Sequence, residues 1–446
     1  VTNRNNSNDD RESKRKQSSL RWIAFCLPVV LIVVQFTFPP VDRFHEDEVY
    51  WVGSAYYYDL AFVERDFGHK DWQLLPAREN PALGKYLIGA TLHATGRRIA
   101  TPDILGSFYL MFANMPGAWG TNEAFEKRRQ VAIRVDPTIA EQVLRGEQLP
   151  IEDSDLRTVR RLMCLIGILA AIGIIVIGWQ CDRVISGLVA STLFAVHPIV
   201  VDAYSHAMID IVAVCFSIWF IIGLIALVDA KNRSISRLSL VGAATTAALT
   251  LACGSKMNSL VVVGVAGLVV IGLAVPWKWP DPQTRWKSAL AIFATCSLAA
   301  ILCIVSNPSL YHDTVDGVMA LSNEHRLTAD IQEQILGGRL HDVGSRVSAV
   351  ATLVCGSRFA MLVLIALLGN QIRLILWHGP NDRGWTLMLI ALWWLVAFVM
   401  LISWIPFAWD RYALPMVAPS VLIVGISIEH LVHFILSQRT PGKSSP

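Results

Sequence analysis

The chain is expected to be an all-α integral membrane protein, and two observations lead there. Of its 446 residues 54% are hydrophobic and 16% charged, too few polar side chains to coat a water-soluble globule. Apolar segments of about 17 to 22 residues, enough to cross a hydrocarbon core roughly 30 Å thick, recur about ten times with few internal charges.

In order, these segments run from Trp22 to Phe38, Leu162 to Trp179, Val184 to Val201, Ala207 to Val228, Leu238 to Cys253, Leu260 to Val275, Ala289 to Val305, Val347 to Leu368, Trp385 to Trp404 and Met416 to Leu436. Residues 1–20 are largely polar and aperiodic and read as a disordered cytoplasmic tail, 21–436 as one transmembrane domain, and 437–446 as a second cytoplasmic tail. The first segment reads as a retained anchor, because Pro39-Pro40-Val41 is a poor cleavage site for a signal peptide. Arg11, Lys14, Arg15 and Lys16 set the N-terminus inside. Alternating from there places Arg183, residues 231–237, Lys278 with Arg285 and Lys287, Arg373 with Arg383, and Arg439 with Lys443 inside as well, so the count and the charge rule agree. The valine at position 1 is what a literally translated GTG start codon gives, though a truncated chain would begin the same way; it favours a bacterial source, and with it the inner membrane as the expected location.

Several function classes drop out at this stage. The 8 cysteines lie mostly in or beside apolar segments without paired or CxxC spacing, which supports neither a disulfide framework nor a metal cluster. A net charge of +3 calls for no nucleic-acid partner. His45, Asp47 and His69 are competent ligands, but their spacing fits no standard site, and we expect neither metal nor cofactor.

Two long connections, residues 39–161 and 306–346, fall outside, where a membrane enzyme keeps its substrate-handling parts. In the first, Val49 to Val63 carries Tyr50, Trp51, Tyr56, Tyr57, Tyr58 and Phe62, which suits a helix in the headgroup region and an ordinary buried helix equally. Asn80-Pro81 reads as the cap and first turn of a short helix reaching His93, with Lys85 one turn in and pointing along the interface toward an anion. The charged stretch Asn122 to Arg161 reads as solvent-facing apart from its junction with the second span. In the second connection Tyr311, His312, Asp313, His325 and Arg326 belong either to a cover over a substrate or to a passive connector.

Ionisable residues collect at the outer ends of the spans: Asp47 and Glu48, Arg160 and Arg161, Asp202, His206 and Asp210, Lys256, then Asp410 and Arg411. Any one of them is explained by solvation, local pairing or snorkelling. A chance scatter would populate both faces, however, and charges at the membrane edge mark functional sites. Such a set is equipped for displacement at a phosphate-linked carbon. Cations neutralise the departing phosphate while a carboxylate takes the proton of an incoming hydroxyl.

Phe44-His45-Glu46-Asp47-Glu48 followed by Asn80-Pro81-Ala82-Leu83-Gly84-Lys85 resembles the Asp-Glu and His-Pro-Pro-Leu-Gly-Lys signatures of the protein O-mannosyltransferases and lipid A aminoarabinose transferases. Arg161-Leu162, Ala207-Met208-Ile209-Asp210, Ser255-Lys256-Met257-Asn258 and Arg411-Tyr412-Ala413-Leu414-Pro415 are similar to further elements of that superfamily. The resemblance implies a GT-C fold and a hexosyl or pentosyl transferase, mannosyltransferase-like, with no cofactor. Its donor would be a sugar on a polyprenyl phosphate such as undecaprenyl phosphate, its acceptor a protein, lipid or glycan at the outer face, its surroundings membrane lipids. It also implies Asp47 as catalytic base with Glu48 shaping the site. Lys85, Arg411, Lys256 and Arg161 would hold the carrier phosphate, and Asp210 and Tyr412 would also bind substrate. Asn80 and Ala82 replace the His and second Pro of the signature, and no aromatic, proline-rich motif or soluble C-terminal domain follows. These departures bear on the acceptor more than on the carrier. The alternative is a transporter or flippase for lipid-linked sugars. That reading predicts an internal repeat and a midplane site, whereas the chain has no clear repeat and its candidate residues sit at one edge.

Overall fold

The computed structural model describes residues 30, 33–34, 44–112, 122–147, 151–228, 234–274, 282–311, 314–378 and 382–438. Among them every regular element is a helix. The expected tail at 1–20, most of the segment Trp22 to Phe38, His312, Asp313 and most of the C-terminal tail lie outside these residues.

The first long connection folds into short helices: α1 (Glu46–Gly53), α2 (Leu75–Glu79), α3 (Ala82–Ala94), α4 (Asp103–Met111), α5 (Asn122–Ala132) and α6 (Pro137–Leu144). Between α1 and α2 the aromatic run is interior. Tyr50, Trp51, Tyr56 and Tyr57 are buried, with Tyr57 packed 5.1 Å from the Trp72 ring, whereas Phe62 is exposed, so the first part of the run follows the buried reading and its end does not. Aromatic bodies with a polar tip bury well when the tip finds a partner, and the Tyr56 hydroxyl donates to Asp71 at 3.0 Å. Asn80 does not cap α3; Pro81 holds that position and the helix starts at Ala82. The stretch from Asn122 also departs from expectation. Val131, Val135 and Val143 are buried, Arg134 pairs with Asp71 at 3.2 Å, and Lys127 pairs with Glu324 of the second long connection. Its charges follow the polar side of helices whose other side is packed, a pattern that composition alone does not separate from a solvated loop.

Seven described helices are long and apolar enough to cross a membrane. They are α7 (Asp153–Gln180), α10 (Asp210–Val228), α11 (Ile235–Ser255), α12 (Leu260–Ala274, entered through a 3-10 turn at Met257–Ser259), α13 (Pro282–Val305), α17 (Asp382–Trp404) and α18 (Asp410–Gln438). Two bent pairs bring the number to as many as 9: α8 (Val184–Val196) with α9 (Pro198–Ser205), bent 63°, and α15 (Val343–Cys355) with the first part of α16 (Arg358–His378), bent 82°. Each pair corrects an expectation of one straight span. Pro198 has no N–H to continue α8, and Gly356 ends α15 in the left-handed region, at φ 76°, where a side chain is costly. The chain is therefore a multi-pass membrane protein.

Small residues let the spans approach. A Cβ on Gly178 of α7 would lie 2.4 Å from the Gly187 Cα of α8, so the two backbones touch. Opposite, Trp394 of α17 donates to the Ser420 hydroxyl of α18 at 3.0 Å. Farther along α18, Glu429 accepts the Ser186 N–H at 2.9 Å, tying the far end of α18 to the first turn of α8. α18 contains Pro415 and Pro419. The second long connection is ordered as α14 (Thr314–Leu336), which meets the first through Lys127–Glu324.

Candidate active site

The site begins with the cap of α1. His45 Nδ1 accepts the Asp47 N–H at 3.1 Å, and the Glu48 carboxylate accepts the His45 N–H at 3.0 Å, a reciprocal capping box. It fixes the first turn and sends the neighbouring Asp47 and Glu48 side chains about 100° apart around the axis.

Glu48 turns inward and is 0% exposed. Arg160 of α7 binds it through Nε and Nη2, each at 2.7 Å, and the Ala207 N–H donates to it at 2.7 Å. Burial raises its pKa, but the guanidinium fork and the two backbone N–H groups outweigh that and hold the carboxyl below the usual range. One carboxylate thus fastens α1, α7 and the turn ahead of α10. His206 in that turn donates from Nδ1 to the Asp202 carbonyl at 3.0 Å. Burial pulls its pKa down, yet Asp202 and the Glu48 charge raise it overall.

Asp47 turns the other way and pairs with Arg411 in the first turn of α18. The Arg411 guanidinium lies 4.6 Å over the Trp409 ring and 5.8 Å over Tyr412. Tyr412 stacks on Trp409 at 5.7 Å and meets the edge of Trp404 at 5.7 Å. At the start of α10, Asp210 pairs with Lys256, which follows α11. The two pairs converge on a cleft lined by Asp210, Ser217, Lys256, Asn258, Trp393 and Arg411 among others.

Asp47, Asp210, Lys256, Arg411 and Tyr412 are therefore gathered in one place. Lys85 is not aimed along the interface. It is 1% exposed, and its ammonium donates to the carbonyls of Asn80 at 2.6 Å and Ala77 at 3.4 Å and to that of Pro76, with the Tyr57 ring 5.2 Å away. A cation at the end of α2 satisfies carbonyls that the helix leaves open. Burial pushes its pKa down to about 7, partly offset by Glu79. Arg161 is exposed, whereas its neighbour Arg160 reaches Glu48.

Sequence reasoning did not pick out Trp393 or Ser217 as cleft residues, and it gave the phosphate role to Arg161 and none to its neighbour Arg160. Trp393 sits in a Trp-Trp doublet, and nothing in the string marks which ring faces α18 and which the cleft. Among the described residues, no group of three or more His, Cys, Asp or Glu is arranged to hold a metal ion. His45 instead sets its ring edge against His206, with centroids 5.5 Å apart.

No family model and no curated protein matches the chain. Solved structures do. The archaeal oligosaccharyltransferase AglB from Archaeoglobus fulgidus, in complex with an inhibitory peptide and a dolichol-phosphate, aligns with a TM-score of 0.53 at 11% identity, over 97% of this chain and 53% of its own. ArnT from Cupriavidus metallidurans bound to undecaprenyl phosphate aligns with a TM-score of 0.51 at 13% identity, over 92% of this chain and 60% of its own. The chain thus spans little more than half the length of the structures it matches. At such identities the likeness is one of fold, and it agrees with the motif pattern of the sequence: this all-helical membrane protein has the GT-C glycosyltransferase fold.

Proposed function

We propose that the chain transfers a sugar from a polyprenyl phosphate carrier to an acceptor at the extracytoplasmic face of the membrane, with Asp47 as general base. The observation that carries this reading is the convergence of Arg411 and Lys256 on one cleft, with Asp47 bound directly to Arg411. The structural neighbours solved with a dolichol-phosphate and with undecaprenyl phosphate support a lipid phosphate as ligand. The short basic loops at the opposite ends of the spans support an outward-facing site.

The mechanism follows from the charges. Each cleft cation holds a carboxylate, and a phosphate arriving there competes for the same guanidinium and ammonium. When it takes Arg411, Asp47 is released beside the place where C1 of the sugar must lie. An acceptor hydroxyl then forms a bond to C1 as the C1–O bond to phosphate breaks. The hydroxyl proton goes to Asp47, and the bonding electrons leave with the phosphate, whose charge Arg411 and Lys256 neutralise. No general acid is needed, because a phosphate is a competent leaving group, and attack opposite to it inverts the anomeric centre. In this scheme Glu48 and Arg160 hold the frame, Lys85 braces the α2–α3 corner behind it, and Tyr412 with Trp409 forms the aromatic wall beside Arg411.

The experiment is transfer of radiolabelled sugar from a panel of polyprenyl phosphate-sugars in proteoliposomes, comparing wild type with Asp47→Asn and Arg411→Ala. Carrier-dependent transfer or donor hydrolysis lost in both variants supports the transferase. Label that crosses the bilayer unconsumed replaces it with the transporter reading.

A further inference from the structure

Asp210 is 3% exposed, and among the described residues one of its two carboxylate oxygens has a partner. Oδ1 takes the Lys256 ammonium, while Oδ2 is buried and has no hydrogen-bond partner among the described residues. A buried carboxylate oxygen left unmet is expensive, and native proteins leave few without a reason. Asp210 lines the same cleft as Arg411, Asn258 and Ser217, the last on its own face of α10 two turns further in.

The charge around it restricts what arrives there. A phosphate oxygen would meet a carboxylate and be repelled, so the phosphate belongs with Arg411 and with the side of Lys256 not taken by Oδ1. What suits Oδ2 is a hydrogen-bond donor one group removed from the phosphate. On a carrier-linked sugar that group is a ring hydroxyl. We infer that Asp210 Oδ2 accepts a hydrogen bond from one hydroxyl of the donor sugar, making Asp210 the residue through which the cleft selects its sugar. This rests on the carrier-phosphate reading proposed above and goes beyond it by assigning the sugar contact to one atom. Lys256 then has two duties, holding the carboxylate in orientation through Oδ1 and the phosphate on its other side.

The test is equilibrium binding to the full chain in nanodiscs. The probes are bare polyprenyl phosphate, the sugar-bearing donor found in the transfer panel, and its monodeoxy analogues, each measured with wild type and with Asp210→Asn. The expected result is that one deoxy donor binds wild type about tenfold or more weakly than the parent, because a site built to pair a hydroxyl rejects the analogue that lacks it. Asp210→Asn should bind the parent donor weakly and lose the discrimination between the parent and that deoxy donor. Equal binding of every deoxy donor by wild type overturns the inference, and that arm needs no variant. Discrimination that persists unchanged in Asp210→Asn also overturns it. If wild type fails to bind bare carrier at all, the carrier reading itself falls and takes this inference with it.

Discussion

Asp47 and Glu48 are neighbours in one helical turn, yet they occupy opposite kinds of environment. Glu48 is sealed, with its oxygens filled by Arg160, the Ala207 N–H and the His45 N–H. Asp47 has a side chain 24% exposed and, among the described residues, a single ionic partner, Arg411, itself 27% exposed at the edge of a cleft. The fully coordinated carboxylate is fixed as a fastener. The partly wetted one, with spare acceptor capacity, is available for exchange. Geometry of one helix turn, not residue type, makes the distinction, and substitutions at the two positions should separate stability from turnover.

The largest effect is expected at Asp47. Asp47→Asn keeps the shape and removes the proton acceptor, and transfer should fall on the order of 10²- to 10⁴-fold while the thermal unfolding midpoint in detergent stays close to that of wild type. A comparable loss of folded protein would instead make Asp47 a fastener like its neighbour. Glu48→Ala should do the reverse. It removes the carboxylate that Arg160 and the Ala207 and His45 N–H groups share, and should cost about 3 to 5 kcal/mol of stability, read by denaturant or thermal unfolding, with activity lost in proportion to folded protein.

The pH dependence sharpens the contrast. The Glu48 carboxyl is held below its ordinary range in the folded chain, so its stabilisation is full at neutral pH and is lost as pH falls through that depressed value. Wild type should therefore lose stability in acid more steeply than Glu48→Gln. Lys85 has the opposite sign. With its pKa pushed down to about 7 against about 10.4 in the unfolded chain, the unfolded state binds more protons between those values. Stability should rise across that window, and Lys85→Met should flatten the rise. The smallest effect belongs to a position remote from both carboxylates. Gly356→Ala, at φ 76°, should cost about 1 kcal/mol and leave transfer per folded molecule unchanged.

Much of this arrangement was legible in the sequence, for reasons that also explain what was not. Membrane spans announce themselves because every residue of such a segment must be apolar whatever its partners. The convergence of Asp47, Asp210, Lys256 and Arg411 was readable for a related reason: charges at membrane edges are costly enough to be sparse, so those present stand out. The bends were hidden, since hydropathy sums over a window and is blind to the single left-handed φ at Gly356. Lys85 was misread because its partners are carbonyls of residues 76, 77 and 80, and backbone acceptors leave no trace in a residue string. Arg160 and Arg161 were inseparable on paper because identity and position differ by nothing except the turn of the helix. The solvent-facing reading of residues 122–161 holds for exposed charges such as Glu123 and Arg129 but misses Lys127 and Arg134, whose partners Glu324 and Asp71 come from distant parts of the chain.

The two prolines of α18 bear on how Arg411 gives up one partner for another. Pro415 has no N–H to offer the Arg411 carbonyl one turn back, and Pro419 has none for Pro415. The turn that carries the guanidinium is therefore joined to the rest of its helix by a weakened ladder, while the far end is moored through Glu429 to Ser186. Such a helix is stiff where it is anchored and compliant at its tip. It allows the cation to lean from carboxylate to phosphate without dragging the membrane bundle along, and the work of the exchange stays within a single turn.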